Sequence, residues 1–195
     1  MPKPTIPGPD PDTRTPRFRL PQLSCDAHTH IFGPGDKYPY AEGRPYTPPD
    51  APLEDFRKLH VKLGIGRAVI VNASVHGTDN RVALDAIAVS NGTFRAVANI
   101  DDTITERGLR ELHEGGFRGC RFNFVRHLGG VPDMAVFHRI VAMVAPLGWH
   151  IDLHFDAIDL PQYADMLAKL PVNYTIDHMG RVKAADGLDL CRSVP

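Results

Sequence analysis

Apolar residues along the chain follow two rhythms that alternate. Short, near-continuous apolar runs such as Arg67-Ala68-Val69-Ile70-Val71-Asn72-Ala73 have the length and filling of strands buried on both faces. Between them, residues such as Leu53, Phe56, Leu59, His60 and Leu63 recur at helical spacing. The pattern predicts strands over 24–31, 67–73, 94–100, 117–123, 149–155 and 172–178. It predicts helices over 53–63, 82–90, 105–114, 134–145 and 160–170. Gly64 and Gly66 close the first helix, Thr105 is placed to cap the third, and Pro146 with Gly148 ends the fourth.

Strand then helix, repeated at this length, implies a parallel sheet covered by helices, an α/β fold. A doubly wound open sheet and a (β/α)₈ TIM-type barrel both fit. No glycine fingerprint for a dinucleotide follows the first strand, which weakens the open sheet. Polar residues recur at the C-terminal strand ends: His28 and His30, Ser74 and His76, Asn99, Arg121 and Asn123, His154, His178. Barrel enzymes carry their chemistry on that rim. A barrel has eight strands and takes roughly 250 residues, whereas this chain of 195 residues offers six. We expect a barrel-type domain over 23–195 that is C-terminally incomplete, lacking about two βα units. Residues 1–22, rich in Pro, Thr, Arg and Asp, are expected to form an extended arm on the surface or on a partner subunit.

Composition adds little that is specific. At 43% hydrophobic and 23% charged, the chain can bury one core. A formal net charge of -1 gives no sign of a nucleic-acid or membrane partner. No apolar run is long enough to span a bilayer. Cys25, Cys120 and Cys191 lack metal-type spacing and read as reduced thiols of a cytoplasmic protein.

The candidate chemistry centres on Cys25-Asp26-Ala27-His28-Thr29-His30-Ile31-Phe32. Residues two apart in a strand share a face, so His28 and His30 point the same way. Paired imidazoles can hold a metal or polarise a carbonyl. The 32–52 connection is long enough to be functional, and its Tyr46 could close over a ligand or simply pack locally. Ser74 reads as a substrate hydrogen bond or a turn hydroxyl, and His76 as a substrate contact or a loop cap. Arg121, Arg126 and Arg181 suggest an anionic substrate, because a guanidinium fork matches a carboxylate. Surface ion pairs are the alternative for Arg126 and Arg181, and a buried salt bridge with Asp152 or Asp177 for Arg121. Asp177 itself reads as structural support, and Cys120 as a packed thiol.

The ordered set of motifs resembles the amidohydrolase superfamily. Asp26-Ala27-His28-Thr29-His30-Ile31-Phe32 opens the chain as it does there. Tyr38-Pro39-Tyr40, the 44–52 run, His76-Gly77-Thr78-Asp79-Asn80-Arg81, the 119–125 run, Leu147-Gly148-Trp149-His150 and Asp177-His178-Met179-Gly180-Arg181 are similar to the branch that contains 2-pyrone-4,6-dicarboxylate lactonase. The resemblance implies a (β/α)₈ barrel that hydrolyses a carboxylated lactone in aromatic-compound degradation. It implies that His28, His30 and His178 contact the ester carbonyl, that Arg121, Arg126 and Arg181 bind substrate carboxylates, and that an Asp on strand eight deprotonates the water. His154 stands where the lactonase has a Tyr and is a candidate substrate contact. Metal-dependent members often place a histidine ligand there, so either no cofactor or one divalent metal (Zn or Mn) held by His28, His30, His154 and His178 is open. Three readings follow: a lactonase acting on a small anionic lactone, a metal-dependent amidohydrolase or decarboxylase, and an inactive truncated barrel. A homo-oligomer stays open.

Overall fold

The computed structural model describes residues 3–183 and residue 185. Strands β1 (Cys25–Thr29), β2 (Arg67–Val71), β3 (Phe94–Ala98), β4 (Phe117–Asn123), β5 (His150–His154) and β6 (Tyr174–Ile176) alternate with helices α1 (Leu53–Leu63), α2 (Arg81–Ala88), α3 (Glu106–Glu114), α4 (Met134–Val144) and α5 (Leu160–Ala168). The chain forms two compact units, residues 1–118 and 119–195.

In the first unit β1, β2 and β3 pair in parallel and in sequence order. Ile70, Val71, Ala96 and Val97 of its strands are buried with Val82, Ala83 and Ala86 of α2. The predicted punctuation is present. Gly64 takes the left-handed conformation that ends α1, and Thr105 Oγ1 accepts from the Gly108 amide at the start of α3.

In the second unit β4 and β5 pair in parallel from Gly119–His150 to Asn123–His154, and β6 adds in parallel beyond β5. Its core is aromatic. Phe124 stacks on Phe155 at 4.2 Å, and Phe122 meets Phe137 edge-on at 4.8 Å. A Cβ at Gly119 would fall 2.7 Å from the His150 ring, so a larger residue there would push that ring aside. Cys120 is fully buried, and burial pushes its thiol pKa up, as fits a packed thiol.

The sixth strand departs most from expectation. β6 ends at Ile176, and Asp177–Arg181 form a tight turn instead. His178, Met179 and Gly180 have φ of 53°, 52° and 66°, and Arg181 follows at 54°. Left-handed backbone cannot continue a strand and is costly for residues with a Cβ. His178 therefore sits on the turn after β6, not on the strand. Cys191 lies outside the described residues. Among these, no helix is long and apolar enough to cross a membrane.

Candidate active site

In the first unit the chemistry starts at an irregularity in β1. Asp26 pairs with Ala68 while Thr29 pairs with Ile70, so β1 carries one extra residue there. Such a bulge shifts the phase of side-chain alternation. Asp26 turns to α1, where its Oδ2 lies 3.3 Å from Nε2 of the buried His60. His28 and His30, two and four residues on, lie against each other, ring centroids 5.3 Å apart and nearly perpendicular. His30 Nδ1 stands 2.7 Å from the Val71 carbonyl. A carbonyl only accepts, so Nδ1 carries the proton and, in the neutral ring, Nε2 keeps a lone pair.

The long connection after β1 is fastened at several points. Phe32 and Ala51 bridge its base. Tyr38 and Lys37 both donate to Asp85 on α2, at 2.6 and 2.8 Å. Tyr40 donates to Asp50 at 2.8 Å, and the Ala41 amide donates to the Val75 carbonyl at 2.8 Å. Ser74 and His76 occupy the 3-10 turn Ser74–His76 after β2. His76 is buried, its ring 4.9 Å from that of Tyr40, and burial lowers its pKa. Ser74 and Tyr46 are half-buried. Sequence reasoning placed Asn99 on the rim but missed Asn72 and Asn80, which knit it to its neighbours. Asn99 Nδ2 donates to the Asn72 carbonyl at 3.0 Å, and Asn80 Nδ2 donates to the Asn99 carbonyl at 2.9 Å.

In the second unit Arg121, near the end of β4, forms a buried ion pair, its Nε 2.7 Å from Asp177 Oδ2. This is the salt-bridge alternative weighed for Arg121, and it gives Asp177 the structural role expected of it. The Arg121 Nη2 lies 3.2 Å from His154 Nδ1 and 3.4 Å from His178 Nε2. The His154 and His178 rings stand edge-to-face at 5.0 Å. Arg181 Nε donates to Asp156 at 2.7 Å, a half-exposed pair of low energetic weight. Arg126 is exposed on the turn after β4, and no ion pair of it is seen among the described residues. Of the three arginines, it keeps an open fork for an anion.

Metal ligation demands a lone pair. His30 Nε2 offers one in the neutral ring. His154 does not fit as a ligand in this arrangement, because its Nδ1 faces the donor-only guanidinium of Arg121.

His154 is buried and its pKa is lowered to about 4, first by burial and then by the charge of Arg121. The folded ring is thus neutral where an unfolded histidine binds a proton, near its ordinary 6.5. Its contribution to stability is complete above about pH 6.5 and is lost as pH falls through about 4. The urea midpoint should fall over this window, and His154→Gln should flatten that slope. An unchanged slope in the variant would contradict the assignment.

The amidohydrolase family profile matches residues 25–194. The chain belongs to this family. Over 174 residues this amidohydrolase is 42% identical to 2-pyrone-4,6-dicarboxylate hydrolase of Comamonas testosteroni, an alignment that covers 89% of the chain and 57% of the relative. Over the same length it is 43% identical to 4-sulfomuconolactone hydrolase of Hydrogenophaga intermedia, with the same coverage. It thus spans little more than half the length of these curated relatives. A crystal structure from Acinetobacter baumannii, named as a probable 2-pyrone-4,6-dicarboxylic acid hydrolase with citric acid bound, superposes with a TM-score of 0.76 at 26% identity. That match covers 86% of this chain and 62% of the other. The fold class is α/β of the (β/α)₈ TIM-barrel type, with six strands and five α-helices among the described residues.

Proposed function

We propose that this amidohydrolase opens a ring lactone bearing an anionic group, by attack of water on the ester carbonyl, in the breakdown of aromatic compounds. One observation carries the reading: identity above 40% to two hydrolases whose named substrates are both ring esters with a carboxylate or sulfonate. The citric acid on the Acinetobacter protein, a polycarboxylate, agrees with a site built for anions. The reaction builds negative charge on the carbonyl oxygen, and donors aimed at that oxygen lower the barrier most. His28, His30 and His178 are the residues assigned to that oxygen. His30 can donate from Nε2 only as an imidazolium, since its Nδ1–H is given to Val71. Arg126 is assigned to the anionic group, with Arg121, His154, Arg181, Tyr46, Ser74 and His76 as further substrate contacts. We assign the reaction to one barrel domain over 23–195, preceded by the arm, in the cytoplasm.

The lone pair on His30 favours a second reading, in which a divalent metal assists. A metal would polarise the carbonyl and acidify a bound water. His30 would be a ligand and His154 would not.

The test offers the intact protein 2-pyrone-4,6-dicarboxylate, 4-sulfomuconolactone and uncharged lactones of the same rings, with and without prior chelation. Ring opening, followed by loss of lactone absorbance, should be faster for an anionic lactone. Loss of activity on chelation, restored by Zn or Mn, would select the metal-assisted reading. Hydrolysis of none of these lactones, metal-replete or metal-free, would overturn the proposal.

A further inference from the structure

The geometry of the second unit points to a role for Arg121 beyond contact with the substrate. We propose that Arg121 is a positioning residue that fixes the tautomer of His154, so that His154 presents Nε2–H as a neutral hydrogen-bond donor to the anionic group of the bound lactone. The substrate half of this inference rests on the lactone reading above, while the tautomer half stands without it.

A guanidinium donates and never accepts. At 3.2 Å from Arg121 Nη2, His154 Nδ1 must therefore be the acceptor and carry the lone pair. The neighbouring Asn123 side chain, whose amide oxygen is drawn 3.1 Å from the same nitrogen, satisfies this by turning its carboxamide over to present NH₂. The guanidinium has no such freedom, so it dictates and the amide adapts. With Nδ1 an acceptor, the ring proton of neutral His154 is on Nε2. A second proton would place an imidazolium beside the buried guanidinium, and burial already disfavours it. Asp177, 2.7 Å from Arg121 Nε, holds the guanidinium in place.

The Nε2 atom is the second observation. His154 is only 4% exposed, and Nε2 is buried without a hydrogen-bond partner among the described residues. A buried donor without an acceptor is costly. A substrate oxygen would relieve that cost. The class of group that fits is a carboxylate or sulfonate oxygen, which only accepts.

Two measurements test this. In protein labelled with ¹⁵N-histidine, the His154 ring at neutral pH should show a pyrrole-type Nε2 and a pyridine-type Nδ1. The opposite tautomer, or an imidazolium, would overturn the proposal, and this readout needs neither substrate nor turnover. Arg121→Met combined with Asp177→Leu, which leaves no lone buried charge, should release the lock and give a mixed tautomer signal, and an unchanged signal would overturn Arg121 as the cause. For the substrate half, His154→Phe should raise KM for an anionic lactone about 10–100-fold, the range for losing a hydrogen bond to a charged group. His154→Gln, which can offer an amide N–H, should recover most of it. An unchanged KM in a folded His154→Phe protein overturns the donor role. If no lactone is turned over while the tautomer is as stated, the functional reading fails and the lock stands.

Discussion

Replacing Asp177 by Ala is expected to destabilise the protein by about 3–5 kcal/mol, the cost of leaving one member of a buried ion pair alone. Asp177 and Arg121 have side chains only 3% and 5% exposed, with 2.7 Å between their charged atoms. The Arg121 guanidinium is then left as a buried charge without a counter-ion, with the His154 and His178 rings beside it. The double replacement Asp177→Leu with Arg121→Met should be far milder than Asp177→Ala, because it removes both charges together. Urea unfolding of the three proteins measures this. If Asp177→Ala costs under about 1 kcal/mol, the value of an exposed pair, the pair is not buried as described.

The second large effect is kinetic. His30→Ala and His178→Ala should each lower kcat and kcat/KM together, by about 10²–10³. A contact that strengthens as charge develops on the carbonyl oxygen is lost from the transition state and hardly from the ground state, so KM should change little. For His30 the ring is held by the Val71 carbonyl at 2.7 Å, which aims its remaining nitrogen before substrate arrives. Steady-state assays on the anionic lactone decide between outcomes. A raised KM with unchanged kcat would reassign these histidines from the reacting centre to binding.

Much of this arrangement was legible in the chain. Leu53–Leu63 and Phe117–Asn123 fall on their predicted bounds, because helical spacing is closed by Gly64 in one case and apolar filling is uninterrupted in the other. Thr105 caps as its residue type suggests. The His-x-His pair was legible too, since strand alternation needs only spacing. The bulge beneath it was not, for no residue type announces an extra residue opposite Ala68 and Ile70. Nor was the turn at His178 legible. Gly180 hints at left-handed backbone, but His178, Met179 and Arg181 adopt it without any local preference, so only tertiary context explains them. Arg121 shows the same limit. Its alternatives could be named from sequence, but the choice of Asp177 over Asp152 needed three dimensions.

The fastened connection after β1 bears on how such an enzyme could change its diet over evolutionary time. Asp85 is held by two side chains of the loop, and Asp50 takes both the Tyr40 hydroxyl and the Gly35 amide. The N-terminal arm adds a further stitch, the Thr47 amide donating to the Pro4 carbonyl at 2.9 Å. Drift at Tyr38, Tyr40, Asp50 or Asp85 would loosen the whole segment at once, and purifying selection should act on these four together. Between the stitches, the Arg44 side chain adds only local bonds, to Thr47 Oγ1 and the Ala41 carbonyl. New substrates should therefore be won by exchanges around Tyr46, while the anchors stay fixed across descendants with different tastes.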